Sequence, residues 1–360
     1  MKKILFLSPY PENKAPSQRL KYEQYFTILN QEGYRVYTSS FVNDKFWKII
    51  YRKGYFFRKL FFTLLGYVKR IIVLFYIRKY DVVYVHLWVT PIGIPFFEYM
   101  VSLLSKKLIY DIDDMVFLGH SSQANRIWQG LKGTRKMIYL IKCADHVITC
   151  TPKLDEFVRK YNIHTTDISS TVDTVKYIPI NSYKNNHQIV IGWSGSHSTS
   201  KYLYLIKDAL KDLTKKYDYK LMVMGDASFQ ISGVNIEAYD WSEDIELDTL
   251  QKFDIGLYPL PDEDWVYGKS GLKAIQYMAL GIPTIATGLG ANLRIIEDGV
   301  NGFLISTNHL NQWKERMEQL LIDANLREKL GKKGRKTIEK EYSVEVNKEK
   351  YLSIFNSLLS

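Results

Sequence analysis

The sequence predicts an α/β protein of two parallel-sheet domains. Short β-branched runs alternate with longer helical patterns in both halves, the signature of strand–helix–strand units. The 360 residues are about twice the usual length of one domain. Near the midpoint, the polar stretch 181–187 has the composition of a linker.

In the first half, strands are expected at residues 3–7, 35–38, 82–86, 107–111 and 146–150. In the second they are expected at 188–192, 220–224, 255–258, 284–286 and 302–305, with helices between most of them. The expected domains are 1–180 and 181–340, each Rossmann-like and facing the other across a cleft. A C-terminal helix, 341–360, is expected to pack back on the first domain. From about Asn308 the chain reads as helical and charged, with Leu310, Trp313, Met317, Leu320 and Leu321 as core positions. After Met1-Lys2-Lys3 only four apolar residues precede Ser8-Pro9, so a first strand is expected there, not a signal peptide. No stretch reaches about 18 uninterrupted apolar residues, and a cytoplasmic protein is expected. Cys143 and Cys150 read as buried small hydrophobes of a reducing compartment.

The net charge of +11 is unevenly placed. Residues 1–180 carry 27 Lys and Arg against 14 Asp and Glu, whereas residues 181–360 carry 22 against 24. The first half is therefore expected to meet something anionic. Residues 41–80 hold ten Lys and Arg and a single acid, Asp44, interleaved with large aromatics such as Phe46, Trp47, Phe56, Phe57 and Phe75. That composition suits an anionic membrane surface, which would make the protein peripheral on the inner face of the plasma membrane. An ordinary core helix with solvated lysines is the alternative. RNA binding, which rests on charge alone, is not expected.

The sharpest chemical segment begins at Tyr267-Gly268-Lys269-Ser270-Gly271 and runs into a helical pattern at 272–280. A glycine-containing loop entering a helix leaves backbone N–H groups free at the positive end of the dipole, where a phosphate fits. Lys269 and Lys273 stand at and just inside that helix start, unfavourable for cations unless an anion lies between them. Ser194, Gly195 and Ser196 open a small, hydroxyl-rich loop between a strand and a helix, a second phosphate-binding surface. In the first half, Asp111-Ile112-Asp113-Asp114 ends an apolar strand, at the edge where parallel sheets bind ligands. Asp113 or Asp114 suits a general base. His86, which ends the preceding strand, and His120 and Arg19 are further candidates on that side.

These segments resemble the retaining glycosyltransferases of family 4, which have the GT-B fold. The likeness lies in Gln276-Tyr277-Met278-Ala279-Leu280-Gly281-Ile282-Pro283, then Ala286-Thr287, then Glu297-Asp298-Gly299-Val300-Asn301-Gly302-Phe303-Leu304. Asp145-His146-Val147-Ile148 and Thr171-Val172-Asp173-Thr174 agree as well. The resemblance implies that Lys201, Ser270, Gly271 and Gln276 hold the donor nucleotide, with Gly225-Asp226 and Trp241 near its base. It places Asp111 and its neighbours on the acceptor side. The family's E-x7-E pair is altered here to Gly268 and Gln276, and the arginine of its G-R-x-x-x-x-K is Ser196. Lys269 and Lys273 stand as substitutes for the missing charge, as in a subgroup with G-K-x-G-x-K at this point.

The implied function is transfer of a hexosyl unit from a nucleoside diphosphate sugar to a glycan or lipid-linked acceptor. Retention of configuration is implied, in the assembly of capsule, lipopolysaccharide or another surface glycan. No cofactor or metal is expected. A non-catalytic relative that binds nucleotide or glycan is one alternative. A Rossmann-type epimerase or oxidoreductase is another, though it would be expected to show the absent G-x-G-x-x-G.

Overall fold

The computed structural model describes residues 1–52, 54–113, 134–180 and 188–360. The chain forms two compact units, Met1–Ser169 with Asn347–Ser360, and Ser170–Val346. The division falls before the expected boundary at 180/181 because residues 170–180 are bonded into the second unit. Val172 N donates to Tyr342 O at 3.0 Å and Val344 N to Val172 O at 3.1 Å. Arg335 Nη2 donates to Thr174 O at 2.8 Å. From Asn347 onward, the last helix (Val344–Leu359) belongs to the first unit. Tyr351 lies 4.4 Å from the Tyr25 ring, and the Tyr34 hydroxyl donates to Asn356 Oδ1 at 2.5 Å.

The first unit is built on strands β1 (Lys2–Ser8), β2 (Tyr34–Ser40), β3 (Val82–His86), β4 (Leu108–Asp111), β5 (His146–Thr149) and β6 (Thr165–Asp167). All are parallel, in the order β2-β1-β3-β4-β5-β6. Every residue of β3 and β4 is buried, as expected of strands covered on both faces. The chain leaves β1 toward β2 and returns to pair β3 on the other side. Loops therefore part at the carboxyl ends of β1 and β3, where such sheets bind ligands.

The second unit holds β7 (Ile189–Ser194), β8 (Tyr219–Met224), β9 (Ile236–Tyr239), β10 (Ile255–Tyr258), β11 (Thr284–Thr287) and β12 (Phe303–Ile305). Their order is β12-β11-β10-β7-β8-β9, again parallel, with the switch between β7 and β10. Gly192 and Gly256 are register partners across those two strands. A Cβ at Gly192 would lie 2.0 Å from the Phe253 ring, and one at Gly256 2.6 Å from the Tyr277 ring. Gly256 thus lets the helix Leu272–Ala279 settle close against the sheet at the switch, while Gly192 leaves room for the Phe253 ring.

The two strands absent from the sequence expectation, β6 and β9, are the outer edges of their sheets. Their residues are polar or half-buried, so they lack an apolar run. Trp313, Met317 and Leu320 are buried in the second core and Leu321 packs on it, but Leu310 is 49% exposed. Leu310 precedes the helix, which starts only at Gln312. Cys143 also departs from expectation: it is exposed at the end of the helix Thr134–Cys143, while Cys150 is buried.

Candidate functional site

In the second unit, the loops at the switch between β7 and β10 bring together most of the residues singled out from sequence. Gly195 N donates to Met224 O at 2.8 Å, holding the loop after β7 against the end of β8. Asp226, at the head of the next loop, is buried. It accepts from Ser200 Oγ at 2.6 Å, Ser228 Oγ at 2.7 Å and His197 Nδ1 at 2.9 Å. Burial alone would raise its pKa, but these donors outweigh it and pull the carboxyl down to about 2. The Asp226 carboxylate is thus a latch between the two loops, and Ser196 joins a hydroxyl cluster with Ser198 and Thr199 at 2.9 and 3.1 Å.

The lysines converge on aromatic rings. Tyr202 stacks on Trp265 at 5.8 Å, Lys201 Nζ lies 5.4 Å from the Tyr202 ring, and Lys269 Nζ lies 5.4 Å from the Trp265 ring. Residues 68 positions apart in sequence are thereby set at the two ends of one aromatic pair. Lys273 Nζ lies 5.7 Å from the Tyr258 ring. Desolvation, and then the neighbouring Lys269, lower its pKa to about 8 against a smaller opposing effect of Glu246. Gly271, at φ 74°, caps the helix Leu272–Ala279 without a side-chain hydrogen bond to its first turn. A Cβ there would lie 2.3 Å from Ile295 Cδ1, so the turn requires glycine on both counts. Ser270 Oγ pairs with Ser170 Oγ at 2.8 Å. From the same helix, the Tyr277 hydroxyl accepts from Ser194 N at 2.7 Å and meets Ser194 Oγ at 2.9 Å.

Gln276 is buried and donates through Nε2 to the Tyr177 hydroxyl at 3.1 Å and Glu246 Oε1 at 3.2 Å. Trp241 Nε1 donates to the same Glu246 oxygen at 3.2 Å. Glu246 therefore joins Gln276 and Trp241, a role the sequence reading missed. It sits within an acidic helix start (Glu243, Asp244, Glu246), where nothing local distinguishes it from a solvated face.

In the first unit, His86 and Asp111 end neighbouring strands and are register partners. His86 Nδ1 lies 2.8 Å from Asp111 Oδ2, and Lys21 Nζ lies 2.8 Å from Asp111 Oδ1. All three side chains are fully enclosed. Burial would raise the Asp111 pKa, but Lys21 and then His86 outweigh it and hold it below its ordinary value. Burial likewise works against the Lys21 cation, yet Asp111, Cys150 and Asp113 together raise its pKa. Both Asp111 oxygens and His86 Nδ1 are thus taken up in a buried charge cluster, while the enclosed His86 Nε2 has no hydrogen-bond partner among the described residues. Lys21 went unread because a lysine beside tyrosines looks like a surface residue. Asp113 keeps a partly exposed carboxylate, 3.8 Å from Lys21 Nζ. Arg19 is buried at the end of the short helix Pro16–Arg19. Asp114 and His120 lie outside the described residues. Among the described residues, no group of three or more His, Cys, Asp or Glu has the spacing of a metal site.

Comparison with known proteins agrees with this architecture. The family described as Glycosyl transferases group 1 matches residues 178–337. Over 186 residues the chain is 25% identical to the capsular polysaccharide biosynthesis glycosyltransferase CapM of Staphylococcus aureus, covering 48% of this chain and 47% of CapM. The chain thus spans about half the length of that curated relative. The solved sucrose-phosphate synthase of Thermosynechococcus elongatus superposes with a TM-score of 0.71 at 14% identity, over 99% of both chains. HepE of Anabaena, solved in complex with UDP and glucose, gives 0.66 at 16% identity, over 99% of this chain and 100% of HepE. At these identities the likeness is one of fold: two Rossmann-like domains, the GT-B fold.

Proposed function

We propose that this chain, whose residues 178–337 match the family described as Glycosyl transferases group 1, is a glycosyltransferase that uses a nucleoside diphosphate sugar. The observation that carries this reading is the set of cations at the β7/β10 switch: Lys201 and Lys269 at the ends of the Tyr202–Trp265 stack, with Lys273 beside them in sequence on the first turn of the helix. The costly step is departure of the nucleoside diphosphate from an oxocarbenium-like centre. Charge develops on the leaving phosphate, and preorganised cations and free backbone N–H groups stabilise it most where it is greatest. In this reading the lysines carry the neutralisation, with no metal or cofactor assigned. Ser194, Gly195 and Ser196 line the phosphate side, while Gln276, Glu246 and Trp241 form the nucleoside side. Gly225 and Asp226 shape the loop between them.

The transferred unit is proposed to be a hexosyl group, moved with retention to a glycan or lipid-linked acceptor in the assembly of a surface polysaccharide such as capsule or lipopolysaccharide. The name of the relative CapM supports that direction. Asp113 is the acceptor-side base in this reading, its carboxylate partly exposed and 3.8 Å from Lys21 Nζ. The protein is proposed to work in the cytoplasm, peripherally on an anionic membrane surface met through residues 41–80.

Thermal-shift measurements with UDP, GDP and ADP, followed by nucleotide release from the matching sugar donors, test this. A stabilising nucleotide whose sugar conjugate is turned over supports it. No stabilisation and no release across the panel overturns it.

A further inference from the structure

The helix Phe56–Tyr76 turns two opposite faces outward and inward. Gly66, Arg70, Val73 and Ile77 recur at helical spacing and are buried. At Gly66 the Phe41 ring comes so near that a Cβ would lie 2.6 Å from it. Arg70 Nε donates to Val89 O at 2.8 Å, Nη1 to Ser39 O at 2.9 Å and Nη2 to Ser8 O at 2.8 Å. One fully buried guanidinium therefore clamps the helix to the ends of β1 and β2 and to the loop after β3.

The opposite stripe is Phe57, Phe61, Leu64, Val68, Ile71 and Phe75, at alternating steps of four and three residues. Every one is exposed, from 45% at Ile71 to 87% at Phe75. A second element extends this face. The Tyr67 hydroxyl donates to Ile92 O at 2.6 Å and its ring lies 5.6 Å from Phe97. These contacts set Ile92, Ile94 and Phe96, themselves 52–74% exposed, beside the helix. An apolar surface of this extent on a folded body marks an interaction site.

The charge around it selects the occupant. Arg52, Arg58, Lys69, Arg78 and Lys79 are exposed along its flanks, and Asp44 is the one acid between residues 41 and 80. Glu98, on the neighbouring helix, is buried against Lys136 at 3.5 Å and offers no outward charge. A second copy of the chain would bring the same cations face to face. Anionic lipid headgroups complement them.

By length and composition, residues Phe56–Lys79 would suffice to cross a bilayer, with mean hydropathy 1.9 over their most apolar 18-residue window. The sequence expectation set a span aside because no stretch reaches about 18 uninterrupted apolar residues. The Arg70 clamp opposes crossing on structural grounds: the helix would have to leave the sheet, and the guanidinium would lose three backbone carbonyls for hydrocarbon.

We propose that the outward face of Phe56–Tyr76, continued by Ile92, Ile94 and Phe96, is a seat for one leaflet of an anionic phospholipid bilayer, with the helix lying in the membrane plane. This rests on the peripheral attachment proposed above and deepens it by naming a second element and an orientation. At about 1.5 Å per residue the helix lays roughly 31 Å along the surface.

The full chain, carrying Cys143→Ser, is labelled with an environment-sensitive fluorophore at cysteines placed in turn at Phe57, Leu64, Ile71, Phe75 and Ile94. Each is mixed with phosphatidylglycerol-containing vesicles and its depth read with quencher lipids. All five positions at one shallow depth are expected, and Ile94→Ser with Phe57→Ser should reduce vesicle partitioning by about tenfold without lowering Tm. A depth maximum at Leu64 with shallow ends overturns the in-plane orientation. Labels that respond to protein concentration but not to vesicles overturn the lipid seat in favour of self-association. An unmoved Ile94 label removes the second element. The nucleotide thermal shift, run on the same samples, reports the donor site separately, so failure here is distinguishable from failure of the glycosyltransferase reading.

Discussion

Lys21 Nζ and Asp111 Oδ1 meet at 2.8 Å in a place that water does not reach. Removing one partner of such a pair leaves an uncompensated buried charge, so Lys21→Met is expected to cost about 3–5 kcal/mol in urea denaturation at pH 7. Asp111 has a depressed folded pKa, so its contribution is present above the ordinary carboxylate value of about 3.9 and fades as pH falls through its lower folded value. Lys21 has a raised one, so its contribution is complete below about 10.4 and fades only as pH rises beyond its folded value. The stability gap between wild type and variant should therefore be largest near neutral pH and shrink in acid. It shrinks first because the variant buries the Asp111 carboxyl without Lys21 and protonates it more readily, then because the wild-type carboxyl protonates too. A gap unchanged between pH 7 and pH 2 would mean the pair is not ionised.

Lys273 should make donor binding depend on pH. Its pKa, pulled down to about 8 by burial and by Lys269, leaves part of the population neutral in mildly alkaline solution. In the free protein the unfolded chain then binds the extra proton between about pH 8 and 10.4, so this group favours folding more as pH rises through that window. A bound diphosphate reverses the preference and draws a proton in. Nucleotide affinity should fall by up to about tenfold per pH unit above 8, with proton uptake visible by calorimetry in buffers of different ionisation enthalpy. In Lys273→Met the uptake should vanish; persistence of the full uptake would assign it elsewhere.

Most strand positions, the loop after β7 and the turn at Gly271 follow from features a sequence displays: apolar runs, glycines and the residues around them. What stayed hidden depends on three-dimensional closure. Thr165–Asp167 and Ile236–Tyr239 pair only because a sheet edge lies open beside them, and their own residues give no apolar signal. Lys21 becomes a buried ion because Asp111 and His86 enclose it, and Glu246 becomes part of the site because Gln276 and Trp241 reach it. Each is an ordinary polar residue on its own segment. Only contacts across the sheet change its meaning.

Lys269 tests the electrostatic account of the leaving group. Its ammonium lies over Trp265, so Lys269→Ala removes charge while the neighbouring core, Tyr277 against Gly256 included, keeps its packing. Loss of one donor at a developing oxyanion costs roughly 2.7–4 kcal/mol in a well-formed site, so turnover should fall by at least about tenfold with Tm little changed. Unchanged turnover would take this lysine out of the mechanism.

Gly225 holds the loops after β7 and β8 in register through its backbone. It sits at φ 116° with its N–H on Tyr239 O at 2.7 Å, and a Cβ there would fall 2.0 Å from the Gly195 carbonyl oxygen. Gly233, at φ 84° with nothing within 4 Å of its Cβ position, offers a control for backbone strain alone. Gly233→Ala should lose about 1–2 kcal/mol, the ordinary cost of a left-handed residue. Gly225→Ala should lose more, because the loop after β7 must also retreat, and that retreat disturbs the Asp226 latch to Ser200 and His197. Chemical denaturation of the two variants side by side measures the difference. Equal losses would mean that the close approach of Gly225 to Gly195 is relieved without cost, and the loops would then not act as one unit.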